Sequence, residues 1–207
     1  ATPNKIWQEG DSQNAIYAVR SLGIDPSNGR ELFLKKNGEV TYTWDANDRV
    51  FCGVDQPDYR GNINTMFMWK DLSVNLSFGY EWRGQQYNST LISRVENADK
   101  KYNVDRRVYE DRWKEPGDRT FFKGINETTA TQATSRFVQD EATFTCQNLN
   151  VTYDLKGNKW LKRNLGIQTL TLKGDIADLF RISTIKQERG TSYPFSRQFS
   201  FTLSAMF

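Results

Sequence analysis

The feature that most constrains the fold is a strict alternation of apolar and polar side chains in the closing segment RQFSFTLSAMF. The apolar members are Phe199, Phe201, Leu203, Ala205 and Phe207. The interleaved positions are Gln198, Ser200, Thr202, Ser204 and Met206. A period of two predicts a β-strand. The apolar face of such a strand meets a core in a soluble protein and lipid in a transmembrane barrel, so this strand alone leaves both alternatives open.

The same alternation recurs in NINTMFMW (62–69), LSVNLSFGYEW (72–82), NLNVTYDL (148–155) and QTLTLKGDIADLF (168–180), with a weaker strand over 14–20. Only Lys70 and Asp71 separate the first two segments, which predicts a two-residue hairpin turn. A tilted strand with the eleven residues of LSVNLSFGYEW climbs roughly 28 Å, close to the ~25 Å apolar band of a transmembrane barrel. The sequence therefore predicts about six long strands.

The connections between these strands are very unequal in length. Residues 21–60 and 93–135 read as long polar loops, whereas the turn at Lys70 and Asp71 is minimal. Outer-membrane barrels alternate short periplasmic turns with long extracellular loops. The strands that end near Trp69, Leu155 and Phe207 would then all descend to the periplasm. We predict an all-β fold, an antiparallel transmembrane β-barrel segment with long extracellular loops.

Composition excludes several other classes of protein. The chain has no histidine, which removes Ser-His-Asp triads and histidine metal sites. Cys52 and Cys146 lack CxxC spacing, so no zinc site is expected, and they are either one disulfide or two free thiols. A mean hydropathy of −0.72 leaves no room for a transmembrane helix. A net charge of +3 argues against a dedicated nucleic-acid-binding protein.

Several motifs in this order resemble the C-terminal part of SusC/RagA-type TonB-linked outer-membrane transporters of Bacteroidetes. They are SLGIDPSNGRE followed by a glycine-marked hairpin and TYTW, QPDYRG with the end GQQYN, DRWKEPGD, SRFVQD, and the closing YPFSRQFSFTLSAMF. The resemblance covers nearly all of residues 1–207. Two departures are the cysteines and DIADLF, which stands where the family has an asparagine-rich strand.

The resemblance implies a ~22-stranded barrel closed by a plug, of which this chain supplies about six strands, with neither the plug nor the TonB-binding segment. It implies an importer of glycans or peptides in the bacterial outer membrane. The implied partners are the remainder of the barrel and plug, a SusD-like surface lipoprotein that forms a lid, TonB through the missing N-terminal part, the barrel-assembly machinery, and lipid. It implies no cofactor and no catalytic activity.

Four groups of candidate functional residues follow. The loop aromatics are candidates for contact with substrate or lid, or for small cores inside the loops: Trp44, Tyr109, Trp113 and Phe121. The membrane-interface girdle is predicted at Trp69, Tyr80, Trp82, Tyr153 and Trp160. The lumen-facing set is Asn75, Ser77, Asn150, Lys173 and Asp175. The resemblance makes Phe207 a signal for barrel assembly.

Two other hypotheses remain open from the sequence. One is a soluble, secreted β-sandwich that binds carbohydrate through its loop aromatics. The other is a glycosidase that uses the carboxylates of the acidic segment YEDRWKEPGD, although these carboxylates alternate with basic residues, which favours a solvated loop.

Overall fold

The computed structural model describes residues 5–99, 101–185 and 197–207, in which antiparallel strands dominate. The strands in these ranges are β1 (Ala15–Ile24), β2 (Glu31–Leu34), β3 (Val40–Thr41), β4 (Arg49–Val54), β5 (Tyr59–Trp69), β6 (Leu72–Tyr87), β7 (Val138–Lys156), β8 (Thr169–Ser183) and β9 (Gln198–Met206). The α-helices are α1 (Ser89–Leu91), α2 (Arg107–Glu110) and α3 (Lys159–Leu165). A π-helical turn covers Ile92–Glu96, and 3-10 turns cover Ala46–Asp48 and Ser135–Phe137.

The chain divides into two compact units. Among the described residues, the small-sheet unit comprises 5–57, 84–99, 101–141 and Ile185, and its sheet has the strand order β3-β2-β1-β4. The large-sheet unit comprises 58–83, 142–184 and 197–207, and its sheet has the order β5-β6-β7-β8-β9. Neighbouring strands of the large sheet follow one another along the chain, as in a meander.

The register of the large sheet keeps residues of like character together. Phe67 pairs with Val74, and Leu172 pairs with Leu203 on the same apolar face. On the opposite face Asn150 pairs with Asp175, which pairs in turn with Ser200. Between Cys146 and Asn148 of β7 the register with β8 shifts by one residue, because β8 has one extra residue between Ala177 and Phe180. The alternation predicted from the sequence is therefore the alternation of the sheet.

The short connections lie at one end of the large sheet. Trp69 pairs with Leu72, so the predicted two-residue turn at Lys70 and Asp71 is confirmed. The backbone N–H of Asp154 donates to the carbonyl of Asp71 at 2.8 Å, which brings the end of β7 to this turn. The N–H of Gln168 donates to the carbonyl of Met206 at 2.7 Å, at the end of β9. The three strand ends thus lie at the same end, as expected.

The predicted strand count and the predicted first loop are both corrected. The described residues form nine strands, and three of them (β2, β3 and β4) lie within 21–60, which the sequence indicated as a loop. These strands have four, two and six residues, too few for a periodic pattern to stand out. β2 and β4 pair with the two edges of β1, and β3 pairs with the outer edge of β2 after a turn at Lys36, Asn37 and Gly38.

The second predicted loop, 93–135, forms a small core together with residues on either side of it. The buried residues of this core are Leu91, Val95, Val108, Phe122 and Phe137, with Tyr87, Ile92 and Ala98 packed against them. Asn88 starts the first helical turn, and its side chain accepts a hydrogen bond from the N–H of Leu91 at 2.9 Å. This segment has no periodic pattern in the sequence, but packing of its side chains holds it in place.

Candidate functional site

The polar face of the large sheet carries a continuous line of side-chain hydrogen bonds. Asn75 Nδ2 donates to Asn150 Oδ1 at 3.4 Å, and Asn150 Nδ2 donates to Asp175 Oδ1. Ser200 Oγ donates to the other oxygen of Asp175 at 3.5 Å. The line crosses four strands, from β6 to β9. We call this face the polar ladder.

All five residues predicted to face a lumen lie on the polar ladder. Lys173 Nζ is 3.4 Å from Asp175 Oδ1, and Ser77 Oγ donates to Asn64 Oδ1 at 2.6 Å. The structure adds members that the sequence prediction omitted. They are Asn64, Thr152, Asp154, Thr171 and Ser200. Thr152, Asp154 and Thr171 lie an even number of positions from a predicted residue on the same strand, so the period of two could have identified them. Asn64 and Ser200 alternate with the mainly apolar faces of their own strands and could have been identified in the same way.

The polar ladder offers both donors and acceptors to whatever it faces. Asp154 accepts from Thr171 Oγ1 at 2.6 Å and is 3.3 Å from Lys156 Nζ. The charges on this face are thus paired with neighbours, which lowers the cost of holding them on a sheet. Within the described ranges no group of three or more His, Cys, Asp or Glu side chains is arranged to hold a metal ion.

The opposite face of the large sheet is apolar and exposed. Phe201 keeps 74 % of its surface accessible, and its neighbours on β9 are similarly open. Further along this face the rings of Phe78 and Phe144 stack with centroids 5.5 Å apart, and Phe180 lies 6.1 Å from Phe144. A continuous exposed apolar surface of this kind needs a non-aqueous partner.

Aromatic residues lie near both ends of this apolar face. Trp69 is beside the two-residue turn, and Trp82 pairs with Tyr59 at the far end of β5. Tyr80 pairs with Gly61, where a Cβ would lie 2.7 Å from the Tyr80 hydroxyl. Gly61 therefore lets the tyrosine ring lie across the neighbouring strand, which gives the glycine of QPDYRG a physical role.

The remaining girdle candidates lie toward the end with the short connections. Tyr153 is three positions before the last residue of β7 and pairs with Leu172. Trp160 is exposed on α3, which follows β7. Phe207 is exposed and comes directly after β9. The first half of the closing motif, residues 193–196, lies outside the described residues.

Two of the four loop aromatics are held by hydrogen bonds in the small-sheet unit. Trp113 Nε1 donates to the carbonyl of Pro26 at 2.9 Å, and its ring packs on Gly29, where a Cβ would lie 2.4 Å away. Gly29 also has φ +71, so it suits this position for two reasons. Trp44 Nε1 donates to the carbonyl of Ala133 at 3.1 Å and is half-buried.

The other two loop aromatics differ in their surroundings. Phe121 packs edge-to-face on Phe122 and Phe137, with ring centroids 5.0 and 6.0 Å away, so it extends the small core. Tyr109 is exposed, and Lys114 Nζ lies 4.1 Å from its ring centroid. Tyr109 is 69 % exposed and Phe121 40 %, whereas Trp44 and Trp113 are half-buried, so Tyr109 has the surface most available to a partner.

A buried ion cluster underlies this unit, and the sequence prediction missed it. Arg136 donates to Glu31 at 2.7 and 3.0 Å and to Glu96 at 2.6 and 2.8 Å. The side chains of Arg136, Glu31 and Glu96 are 4 %, 8 % and 0 % exposed. Burial by itself lowers the pKa of Arg136, but the hydrogen bonds that it donates to Glu96 and Glu31 outweigh burial and raise that pKa above its ordinary value.

Two further cations, Arg112 and Lys123, lie near this cluster. Arg112 Nη2 donates to the carbonyl of Val95 at 2.8 Å, and burial lowers the pKa of Arg112. Lys123 Nζ donates to the carbonyl of Thr129, and burial also lowers the pKa of Lys123. Val95 lies in the π-helical turn and Thr129 lies outside the helices and strands, so the two cations tie these segments to the residues around the cluster.

A cleft of about 110 Å³ opens beside the cluster. Its walls include Arg30, Tyr42, Trp44, Lys123 and Glu127. The guanidinium of Arg30 lies 4.9 Å from the ring centroid of Tyr42 and 3.8 Å from Glu127. The cleft combines aromatic surface with both signs of charge, which suits a small polar group rather than a purely apolar one.

Two carboxylates of the acidic segment bind partners close to them in the chain. Glu110 forms an ion pair with Arg106 at 2.5 Å. Asp118 accepts from the backbone N–H groups of Lys114 and Glu115 at 3.0 and 3.1 Å, which closes a turn. Each of these two carboxylates therefore stabilises its own loop. Cys52 and Cys146 are free thiols.

Residues from different sequence motifs contact one another in this unit. Tyr42 of TYTW donates to Asp25 of SLGIDPSNGRE, and Glu31 of SLGIDPSNGRE pairs with Arg136 of SRFVQD. Trp113 of DRWKEPGD reaches the carbonyl of Pro26. Segments separated by up to about a hundred residues thus meet in one unit, and the motifs record that packing.

Solved structures provide a match, whereas no protein-family model and no curated protein matches the sequence. The chain is similar to part of the RagAB peptide transporter. The TM-score is 0.68 at 19 % identity over 89 % of this chain. The RagAB peptide importer in its open-open and closed-closed states gives TM-scores of 0.70 and 0.67, each at 19 % identity, over 90 % and 87 % of this chain.

The chain spans about a fifth of the length of these RagAB chains, 20–21 %. The resemblance to SusC/RagA-type transporters that the motifs indicated is thereby confirmed at the level of the fold. Among the described residues no helix is long and apolar enough to cross a membrane.

Proposed function

We propose that this chain is a wall segment of a β-barrel importer in the bacterial outer membrane. One observation supports this most directly. The large sheet has an exposed apolar face on one side and the hydrogen-bonded polar ladder on the other. Lipid outside and a wet lumen inside are the two environments that satisfy both faces at once.

The energies favour this orientation strongly. Turning Lys173 toward lipid would cost ~2–4 kcal/mol near the bilayer midplane. Leaving an apolar face open to water would forgo ~25 cal/mol for each Å² that lipid could cover. A soluble β-sandwich would instead need a second sheet to cover Phe201 and its neighbours, and these side chains are exposed.

The remainder of the transporter follows from the same proposal. An open five-stranded sheet has two unpaired edges, which lipid does not tolerate, so the rest of a ~22-stranded barrel would pair with β5 and β9. The barrel would hold a plug, receive energy through TonB, and depend on Phe207 for assembly. The end with the short connections would face the periplasm, and the chain would act without chemistry of its own.

Nutrient capture would fall to the small-sheet unit together with a SusD-like surface lipoprotein. The exposed ring of Tyr109 and the cleft beside Trp44 are the surfaces we assign to contact with that lid or with cargo. Trp113 and Phe121 would support these surfaces from below. The fold neighbours are peptide transporters, which favours peptides over glycans as cargo.

Cysteine accessibility in intact outer membranes tests the proposal with a matched pair. Phe201 and Thr202 are adjacent in β9 and point to opposite faces. In a background with Cys52→Ser and Cys146→Ala, we expect a water-soluble maleimide to label Thr202→Cys and to leave Phe201→Cys unlabelled. Detergent should not be needed to label the former. Equal labelling of both, with the protein in the soluble fraction, would contradict a barrel wall.

A further inference from the structure

The connection between β7 and β8 carries positive charge only. Residues 156–168, which we call the basic connector, contain Lys156, Lys159, Lys162 and Arg163 and no acidic residue. The whole chain is nearly balanced, with 28 basic and 25 acidic residues, so this local excess stands out. A run of one sign on a short connection indicates a partner of the opposite sign.

Helix α3 gives the basic connector a defined shape. Asn158 caps its start by accepting from the N–H groups of Trp160 and Leu161 at 3.0 and 3.4 Å. Gly166 ends it in the left-handed conformation with φ +70. Leu161 is buried and anchors the helix, whereas Trp160 is 63 % exposed. Leu165 is also exposed, so the helix presents apolar and basic side chains together.

The surroundings of the connector reinforce this character. At the same end of the sheet, Lys70 Nζ lies 5.0 Å from the ring centroid of Trp69. Asp71 and Asp154 are the acidic residues of the β5–β6 turn and of the end of β7, and Asp154 is 3.3 Å from Lys156. Five cations therefore face two carboxylates here, and Lys159, Lys162 and Arg163 bring the excess.

We propose that the basic connector binds the headgroups of anionic phospholipids in the membrane leaflet next to this end of the sheet. Exposed tryptophan beside an apolar sheet face is typical of the membrane–water interface. Lysine and arginine directly outside that interface attract anionic headgroups, and the guanidinium of Arg163 can bind a phosphate with two hydrogen bonds. This proposal rests on the proposed barrel wall, because only then does lipid border Trp69 and Trp160.

Lipid retention measured by native mass spectrometry tests the proposal. The intact transporter that contains this chain is reconstituted in nanodiscs of phosphatidylcholine alone or of phosphatidylcholine mixed with phosphatidylglycerol. The test variant is K159Q/K162Q/R163Q, which keeps Trp160. The matched control is K36Q/K101Q/R119Q, which removes three exposed cations of the small-sheet unit. Excess inorganic phosphate is added in a parallel series.

We expect the wild type to retain phosphatidylglycerol in preference to phosphatidylcholine, and the test variant to lose at least about tenfold of that preference. The control variant should keep it, and inorganic phosphate should not displace the lipid. No preference in the wild type, an equal loss in both variants, or full displacement by phosphate would overturn the proposal.

Two further outcomes separate this proposal from the barrel wall. If the wild type enters nanodiscs but shows no lipid preference, while the Phe201→Cys variant stays unlabelled, only the lipid site is wrong. If the wild type does not enter nanodiscs at all, the barrel wall fails and the lipid site with it. Loss of a plug or lipoprotein in the test variant, with lipid retention unchanged, would assign the basic connector to a protein partner and overturn the lipid proposal.

Discussion

Arg136 and Glu31 form a bidentate ion pair across 105 positions of the chain, with both side chains almost fully buried. The same guanidinium also holds Glu96 and donates to the carbonyl of Phe121 at 2.6 Å. One side chain thereby joins β2, the π-helical turn and the segment that closes the small core. The two regions that look like separate loops in the sequence depend on each other through this contact.

Replacing Arg136 should loosen the small-sheet unit as a whole. Arg136→Ala leaves two buried carboxylates without their cation, and breaking a buried pair in this way costs about 3–5 kcal/mol. Hydrogen exchange of peptides covering 92–96 and 119–124 should accelerate accordingly. Arg136→Lys keeps the charge but loses the planar guanidinium, so its exchange rates should lie between those of the wild type and of Arg136→Ala. The exposed Arg119→Ala serves as the control, and a similar acceleration in it would contradict this role of Arg136.

The contact between Tyr42 and Asp25 predicts a pH dependence. The hydrogen bond from Tyr42, followed by those from Ser27, lowers the pKa of Asp25 below its ordinary value. A carboxyl whose pKa is lowered in the folded state stabilises the fold above its unfolded pKa of ~3.9, and that contribution disappears as the pH falls through the folded pKa.

Tyr42→Phe should therefore raise the pKa of Asp25 toward its ordinary value. Carboxyl NMR titration of the protein in detergent between pH 5 and pH 2 measures the change. Asp118, whose partners are backbone groups, is the internal reference. An unchanged pKa of Asp25 in the Phe variant would show that the Ser27 and backbone bonds suffice without Tyr42.

Substitutions of Trp113 and Tyr109 should distinguish a residue that stabilises the fold from one that contacts the surface lipoprotein. Trp113→Ala removes a ring wedged against Gly29 and its bond to Pro26, so it should lower the free energy of unfolding by roughly 3 kcal/mol. Tyr109→Ala should leave that free energy within about 0.5 kcal/mol, since the ring is exposed. Co-purification of the surface lipoprotein should fall for Tyr109→Ala. If it persists, Tyr109 is not a lid contact.

Adjacent positions in β9 should respond oppositely to a charge. Leu203 pairs with Leu172 on the apolar face, and Ser204 pairs with Thr171 on the polar ladder. Leu203→Lys should reduce the amount of folded barrel in membranes, at a cost between the ~0–1 kcal/mol of the interface and the ~2–4 kcal/mol of the midplane, whereas Ser204→Lys should be tolerated. The fraction that resists unfolding in unheated detergent gels measures this. Equal tolerance of both would mean that neither face contacts lipid.

Phe207 should control assembly rather than stability. Deleting Phe207 should reduce insertion into the outer membrane several-fold in cells, while purified protein that does fold should keep its resistance to heat. Met206→Ser changes the neighbouring position on the opposite parity and should have little effect. Normal insertion without Phe207 would reduce this residue to one more exposed aromatic at the sheet end.

The long strands and their two faces could be predicted because their signal is local. Phe199 to Phe207 and Leu72 to Trp82 each repeat a period of two over enough residues to identify strand and face. The turn at Lys70 and Asp71 follows from the same pattern, since nothing else separates two clear strands. Part of the polar ladder could be predicted for the same reason, because Asn75, Asn150 and Asp175 each lie on the polar face of their own strand.

The small-sheet unit could not be predicted because its signal is distant. Strands β2, β3 and β4 are too short for a pattern and exist through pairing with β1 and with one another. Glu31 and Arg136 read as ordinary surface charges until folding brings them together and excludes water. The alternation of residue types along each long strand is enough to identify the apolar face. The buried charges and the supporting aromatics depend on contacts between residues far apart in the chain, and these contacts exist only in the folded protein.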